Sequence, residues 1–229
     1  MEQKLSKKTR TESDLIGSRE VPESALYGVQ TLRGIENFRI SKFHLNEYPL
    51  FIQALAITKM GAAVANRELD LLTEEQTDAI LKACKEILEG KHHDQFPVDM
   101  IQGGAGTTTN MNANEVIANR ALELMGHARG EYHYCSPNDH VNRSQSTNDA
   151  YPTAIHIGLY YTHFKLVKHF ATLIEAFRKK GAEFAHIIKM GRTQLEDAVP
   201  MTLGQTFNGF ASILEHELKN LDFAAQDFL

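Results

Sequence analysis

The stretch YPTAIHIGLYYTHFKLVKHFATLIEAFRKKGAEFAHII, residues 151–188, decides the fold. Leu159, Leu166 and Leu173 recur at seven-residue intervals, and within this stretch no proline follows Pro152. Heptad spacing of apolar residues is typical of long helices that pack along a common seam. We therefore predict a long helix from Tyr151 to about residue 188 that belongs to a helix bundle.

Helical spacing continues on both sides of this stretch. Apolar residues follow it over 49–66, 74–88 and 114–125, and again beyond 203. Thr73 and Gln76 form a capping-box signature at the second of these helices. Residues 1–47 read as irregular, and we find no alternating strand of useful length. The predicted fold is all-α, with an N-terminal helical domain at 1–143 and the first, incomplete part of a central long-helix bundle at 144–229.

Composition narrows the class of protein. The 229 residues are 42% hydrophobic and 23% charged, as in ordinary globular proteins. A net charge of −5 gives no electrostatic case for nucleic acid or an anionic membrane. No apolar run approaches the ~20 residues that span a bilayer, and no secretory signal is visible. We expect a cytoplasmic protein without a metal, because no Cys and His set has zinc spacing.

The first of three polar segments is GGAGTTTNMNAN, residues 103–114. Glycines let backbone N–H groups approach a ligand closely, and threonine and asparagine supply neutral hydrogen-bond donors. A P-loop is excluded because no Gly-Lys-Ser/Thr follows. The alternative interpretation is a glycine-rich turn followed by an asparagine cap.

The second segment runs from Ser136 to Asp149 and contains Ser146, Thr147 and Asn148 side by side. These side chains can offer several neutral donors to one small anion. The helix start predicted at Tyr151–Pro152 adds unpaired N–H groups and partial positive charge. The alternative is a polar loop with a helix cap.

The third segment is GRTQLEDAVP, residues 191–200. Glu196 and Asp197 do not form a catalytic carboxylate pair in this interpretation, because adjacent residues point apart. The alternative is a helix-to-helix connector that contains a structural ion pair.

Together, these segments resemble the aspartase/fumarase superfamily of lyases, and within it the aspartase branch. The resemblance runs from about Arg10 to the C-terminus and includes TESDLIG at 11–17 and YGVQTLRGIENF at 27–38. Class II fumarases typically have SSNDTFPT and GRTH where this chain has STNDAYPT at 146–153 and GRTQ at 191–194. The Gly-Gly-Ala-Gly form at 103–106 and the Ala-Tyr-Pro-Thr form at 150–153 favour the aspartase branch.

The resemblance implies a subunit of three helical domains and a homotetramer whose active sites are shared between subunits. It implies reversible elimination of ammonia from L-aspartate to give fumarate, with no cofactor. A general base removes a proton from the carbon next to the side-chain carboxylate. The carbanion is held as an aci-carboxylate, which carries two negative charges on one carboxyl group.

The resemblance also assigns roles to residues of the three segments. Thr107, Ser146 and Thr147 match donors to the aci-carboxylate, and Asn148 matches a contact to the amino group. Thr193 matches a contact to the α-carboxylate, and beside it Gln194 stands where many relatives have histidine. Arg33 lies in a matching stretch but receives no role.

The general base is not among these residues. In the family it is a serine in the stretch Gly-Ser-Ser-x-Met-Pro-x-Lys-x-Asn, and no copy occurs here. We therefore expect no catalytic residue in this chain, a base beyond Leu229, and an N-terminal half that is inactive alone. Two alternatives stay open, a class II fumarase and a non-catalytic helical oligomerisation module.

Overall fold

The computed structural model describes residues 8–104 and 106–228. Ala105 and Leu229, which belong to segments discussed above, lie outside the described residues. The chain is mostly helical, which confirms the all-α class. The helices are α1 Val29–Asn37, α2 Pro49–Glu68, α3 Glu74–Leu88, α4 Thr107–Leu124, α5 Thr147–Glu183 and α6 Leu203–Ala225. Short 3-10 turns lie at Leu45–Glu47, His93–Gln95 and Gln226–Phe228, and a π-helix lies at Pro137–Val141.

Two antiparallel hairpins correct the expectation of no strands. β1 Thr9–Asp14 pairs with β2 Gly17–Pro22, and β3 Ile188–Thr193 pairs with β4 Glu196–Thr202. The strands are short and largely exposed, so they carry no apolar alternation that the sequence would reveal. Polar contacts support the first hairpin, where the Thr9 and Thr11 hydroxyls donate to Glu20 at 2.7 and 2.6 Å. The third polar segment, residues 191–200, is therefore part of a hairpin, where the alternative interpretation expected a helix-to-helix connector.

The chain divides into two compact units between Gly158 and Leu159, inside α5. The domain boundary predicted at 143/144 stays a prediction. In the first unit α4 is the central helix, because its side chains are buried on nearly every side. It packs against α2 and α3 through a core that includes Ile52, Leu55, Ile80 and Ile117.

Local capping explains where several helices begin. The predicted box at Thr73 is present, since Gln76 N donates to Thr73 Oγ1 at 3.2 Å and Thr73 N donates to Gln76 Oε1 at 3.1 Å. Thr202 and Gln205 make the same reciprocal pair at the start of α6. Each box pairs N–H groups that the first helical turn would leave unpaired.

In the second unit, aromatic rings on α5 and α6 pack together. Phe177 and Phe207 lie 5.9 Å apart between ring centroids, and Arg178 forms an ion pair with Glu215 at 2.8 Å. The heptad residues Leu159, Leu166 and Leu173 stay 40–46% exposed. The seam predicted from their spacing is thus left uncovered within this chain. Among the described residues, no helix is both long enough and apolar enough to cross a membrane.

Candidate functional site

The first turns of α4 and α5 lie together in the first unit. Gly106, which caps α4, has φ +85° and packs directly under the ring of Tyr151, where a Cβ would collide. Tyr151 lies one turn after Thr147 on α5, and Asn110 Nδ2 of α4 donates to Thr147 Oγ1 at 3.2 Å. The structure therefore brings Thr107, the first residue of α4, to the same place as the start of α5.

Ser146 is the N-cap of α5. Its Oγ accepts the N–H of Asn148 at 3.1 Å, and its own N–H donates to Asp149 Oδ2 at 3.2 Å. The capping interpretation of this segment is thus correct as a local role. Thr107, Ser146 and Asn148 are exposed and Thr147 is half-buried, so their polar groups remain open to a ligand. Two helix N-termini with neutral donors favour a small anion at this place.

A buried set of polar side chains lies behind the start of α5, and we call it the amide network. Lys59 of α2 is fully buried, and its Nζ donates to Asn142 Oδ1 at 2.9 Å and to Gln145 Oε1 at 3.0 Å. Asn142 Oδ1 also accepts Nδ2 of Asn110 at 3.1 Å and of Asn114 at 3.2 Å. Burial lowers the pKa of Lys59 to about 7.

Sequence reasoning missed the amide network. Lys59 lies in α2 among apolar neighbours, and a single lysine within an apolar helical stretch is the only signal that the sequence offers. A lysine is almost never fully buried unless its charge is paired or hydrogen-bonded. Its partners Asn142 and Gln145 lie more than 80 positions away, so spacing could not identify them.

Thr193 and Gln194 lie in the second unit, at the tip of the β3–β4 hairpin. Gln194 and Leu195 form the turn, both with positive φ, +53° and +68°, as in the two-residue turns that match the twist of a hairpin. Thr193 pairs with Glu196 at the end of the ladder, and its side chain is exposed. Arg192 forms an ion pair with Asp197 at 2.9 Å, as the connector interpretation expected.

Arg33 has a structural partner. Its Nε and Nη2 donate to the two carboxylate oxygens of Asp14 at 2.8 and 2.9 Å, and Nη2 also donates to the Gly17 carbonyl at 2.8 Å. Hydrogen bonding from the Arg33 guanidinium lowers the pKa of Asp14. Arg33 therefore ties α1 to the β1–β2 hairpin.

Two buried carboxylates also hold the start of α1, and the sequence did not reveal them. Glu115 of α4 accepts the N–H groups of Gly28, Gln30 and Thr31 at 2.8–2.9 Å, while Glu12 accepts that of Val29 at 3.0 Å. Burial raises the pKa of Glu115 against these hydrogen bonds. Both carboxylates are occupied by a helix N-terminus, so we assign them to the fold and not to a ligand.

In the part of the chain that the structure describes, no group of three His, Cys, Asp or Glu side chains could hold a metal ion. The polar groups at the starts of α4 and α5 are hydroxyls and amides, which suit an organic anion.

Comparison with known proteins identifies the family. A family model described as Lyase matches residues 17–229. The chain belongs to this lyase family. The lyase chain is 57% identical over 220 residues to the aspartate ammonia-lyase of Pseudomonas fluorescens, an alignment that covers 96% of the chain and 46% of the relative. It thus spans about half the length of the curated relatives it matches.

Solved structures agree with this assignment. The fumarate lyase:delta crystallin from Brucella melitensis, bound to cobalt, superposes with a TM-score of 0.91 at 51% identity, covering 96% of the lyase chain and 48% of that structure. The class II fumarase from Schistosoma mansoni gives 0.80 at 37% identity, covering 93% and 44%. The predicted aspartase/fumarase resemblance is confirmed, and identity is higher to the aspartate ammonia-lyase than to the fumarase.

Proposed function

We propose that the whole protein containing this chain is an aspartate ammonia-lyase, which converts L-aspartate reversibly into fumarate and ammonia. The observation that supports the proposal is the joint start of α4 and α5, where Asn110 Nδ2 donates to Thr147 Oγ1 and Gly106 packs under the Tyr151 ring. The 57% identity to an aspartate ammonia-lyase, against 37% to a class II fumarase, supports ammonia over water as the leaving group.

The proposed donors match the charge that the reaction develops. When a base takes the proton from the carbon beside the side-chain carboxylate, the electron pair moves into that carboxylate and gives an aci-carboxylate. Thr107, Ser146 and Thr147 donate to its oxygens, so fixed dipoles stabilise the second negative charge as it forms. Neutral donors avoid a tight ion pair with the substrate, so more of their stabilisation is directed to the transition state.

The remaining roles follow the family motifs. Asn148 contacts the amino group, which is protonated and leaves as neutral ammonia with the electron pair of the carbon–nitrogen bond. The electron pair of the aci-carboxylate returns to form the double bond of fumarate. Thr193 contacts the α-carboxylate, with Gln194 beside it. The general base is a serine from sequence outside this chain, and no cofactor takes part.

The proposal extends to assembly and compartment. The uncovered seam at Leu159, Leu166 and Leu173 supports a homotetramer in which other subunits cover it and contribute to each active site. We also propose a cytoplasmic location, since L-aspartate and fumarate are small intracellular metabolites.

The decisive experiment measures two eliminations on the whole protein. Fumarate absorbance is followed with L-aspartate and, separately, with L-malate, and we expect turnover with L-aspartate. Turnover with L-malate only would replace the proposal by a fumarase, and turnover with neither would favour the non-catalytic oligomerisation module. The 229-residue chain is assayed in parallel, and we expect no turnover. A rate of about 1 s⁻¹ or more from it would place the base within these residues.

A further inference from the structure

Lys59 is the unusual residue of the first unit. It is the largest side chain buried to 0% exposure, and its Nζ is held by two neutral amide oxygens. Among the described residues, no carboxylate pairs with its Nζ, and the Cys84 thiol is neutral because burial raises its pKa to about 12. A buried cation without a carboxylate partner is costly, and an apolar side chain of similar length would be buried at lower cost.

The two acceptors of Lys59 belong to the turn that leads into α5. Asn142 Nδ2 donates to the Gln145 carbonyl at 3.0 Å, and Gln145 Nε2 donates to the Val141 carbonyl at 2.9 Å. Ser144, between them, has φ +58°, a conformation that a residue other than glycine adopts at a cost. The Lys59 ammonium therefore joins both sides of a strained turn directly before Ser146.

A short path connects this turn to a proposed donor. Asn142 Oδ1, which accepts from Lys59, also accepts from Asn110 Nδ2, and the same Asn110 Nδ2 donates to Thr147 Oγ1 at 3.2 Å. Two side chains, those of Asn142 and Asn110, thus connect the ammonium to the side chain of Thr147. A second contact from α2 supports the turn, since Asn66 Nδ2 donates to the Arg143 carbonyl at 2.8 Å.

We propose that Lys59 is a positioning residue for the Ser146–Asn148 donors, acting through Asn142 and Gln145. This inference rests on the proposed function, since the donors act on its dicarboxylate substrate. Lys59 itself is buried behind the donors and does not touch the substrate. Its contribution is to hold the turn in the single conformation that presents the three donors together, and such preorganisation is what makes fixed dipoles effective.

The test compares Lys59→Met with Lys82→Met in the whole protein. Methionine fills a similar volume without a donor, and Lys82 is an exposed lysine of α3, so its variant controls for loss of one positive charge. We expect kcat/KM for L-aspartate to fall about 10- to 100-fold in Lys59→Met, because small displacements of catalytic groups cost up to about 100-fold. The thermal midpoint should stay unchanged or rise, whereas a merely structural role would lower it.

A second readout does not depend on activity. Amide hydrogen exchange at residues 146–150 should be about 10-fold faster in Lys59→Met than in Lys82→Met, with the core of α3 and α4 protected as before. Equal exchange at 146–150 in the two variants would overturn the inference, even if the protein proved not to be an aspartate ammonia-lyase. Normal turnover by Lys59→Met in an active enzyme would overturn it as well.

Lys59→Gln covers the case in which Lys59→Met does not fold. A glutamine amide can donate to one of the two acceptors, so part of the protection at 146–150 and part of the activity should return. Selective loss of protection at 146–150 in this variant supports positioning. Uniform loss across α2, α3 and α4 would show instead that Lys59 serves the core as a whole. Absence of ammonia release by the unaltered protein would refute the proposed function alone.

Discussion

The start of α5 and the tip of the β3–β4 hairpin both carry residues predicted to bind substrate, but they are built differently. Ser146–Asn148 stand in front of the amide network, in which side chains of α2 and α4 hold the turn from behind. Thr193 and Gln194 are held by a main-chain ladder and a two-residue turn, and their side chains are exposed. Side-chain contacts from other helices fix the first set of residues, whereas main-chain pairing and the local Arg192–Asp197 ion pair fix the second.

The largest effect is expected from removing one donor in each region. In the whole protein, Ser146→Ala should lower kcat by about 100- to 1000-fold, since loss of one donor to developing charge costs about 2.7–4 kcal/mol. Thr193→Ala removes a contact to the α-carboxylate, whose charge does not change in the reaction, so it should mainly raise KM. Steady-state kinetics with L-aspartate measure this, and Ser18→Ala, at an exposed serine of β2, is the control. Ser146→Ala also removes a cap worth about 0.5–2 kcal/mol of stability, so folding is checked separately.

The kinetics of the two variants show which of the two regions contacts the substrate. If only Ser146→Ala is impaired, the hairpin is the connector with an ion pair that its sequence also allowed. If both variants keep near-normal kinetics, the assignment of donors is wrong in both places.

The next effect tests how the starts of α4 and α5 are joined. Gly106→Ala should lower the free energy of unfolding by about 2–4 kcal/mol, because positive φ costs a residue with a Cβ and the new methyl meets the Tyr151 ring. Gly90→Ala is the matched control, with φ +87° and no atom within 4 Å of the added Cβ. Denaturant unfolding of the 229-residue chain measures both, and equal losses would show that Tyr151 moves aside freely.

The smallest effect is a pH dependence that the first region has and the hairpin lacks. The pKa of Lys59 is lowered by burial to about 7 in the folded chain, against about 10.4 when unfolded. Between these values the unfolded state binds more protons, so stability should rise with pH, whereas below pH 7 the full cost of the buried charge is present.

Thermal or denaturant unfolding at pH 7, 8 and 9 measures this. Between pH 7 and 9, the free energy of unfolding of the unaltered chain should rise by about 2 kcal/mol relative to that of Lys59→Met. The limiting slope is about 1.4 kcal/mol for each pH unit. Lys82→Met should follow the unaltered chain throughout. If the free energy of unfolding depends on pH in the same way in Lys59→Met and in the unaltered chain, Lys59 stays protonated across this range.

The starts of α4 and α5 were predicted too late in the sequence. The spacing predicted α4 from Asn114, but the helix begins at Thr107, two turns earlier. These turns contain threonine and asparagine, and polar side chains from outside the helix support them. Thr109 N donates to Gln102 Oε1 at 2.8 Å, and Asn110 Nδ2 donates to Asn142 Oδ1 at 3.1 Å. Likewise α5 begins at Thr147 and not at Tyr151, because Ser146 caps it. The spacing of apolar residues does not predict a helical turn that is stabilised by polar hydrogen bonds.

The sequence by itself determined the all-α class, the capping box at Thr73 and the lyase family, because periodic apolar spacing and local motifs involve residues close in the chain. Only the tertiary structure decided that α4 and α5 begin side by side, that Arg33 pairs with Asp14, and that Lys59 bonds to the turn before Ser146. These features join residues from 19 to 86 positions apart. Hydrogen bonds of that kind depend on where packed helices place their side chains, and no local pattern encodes that placement.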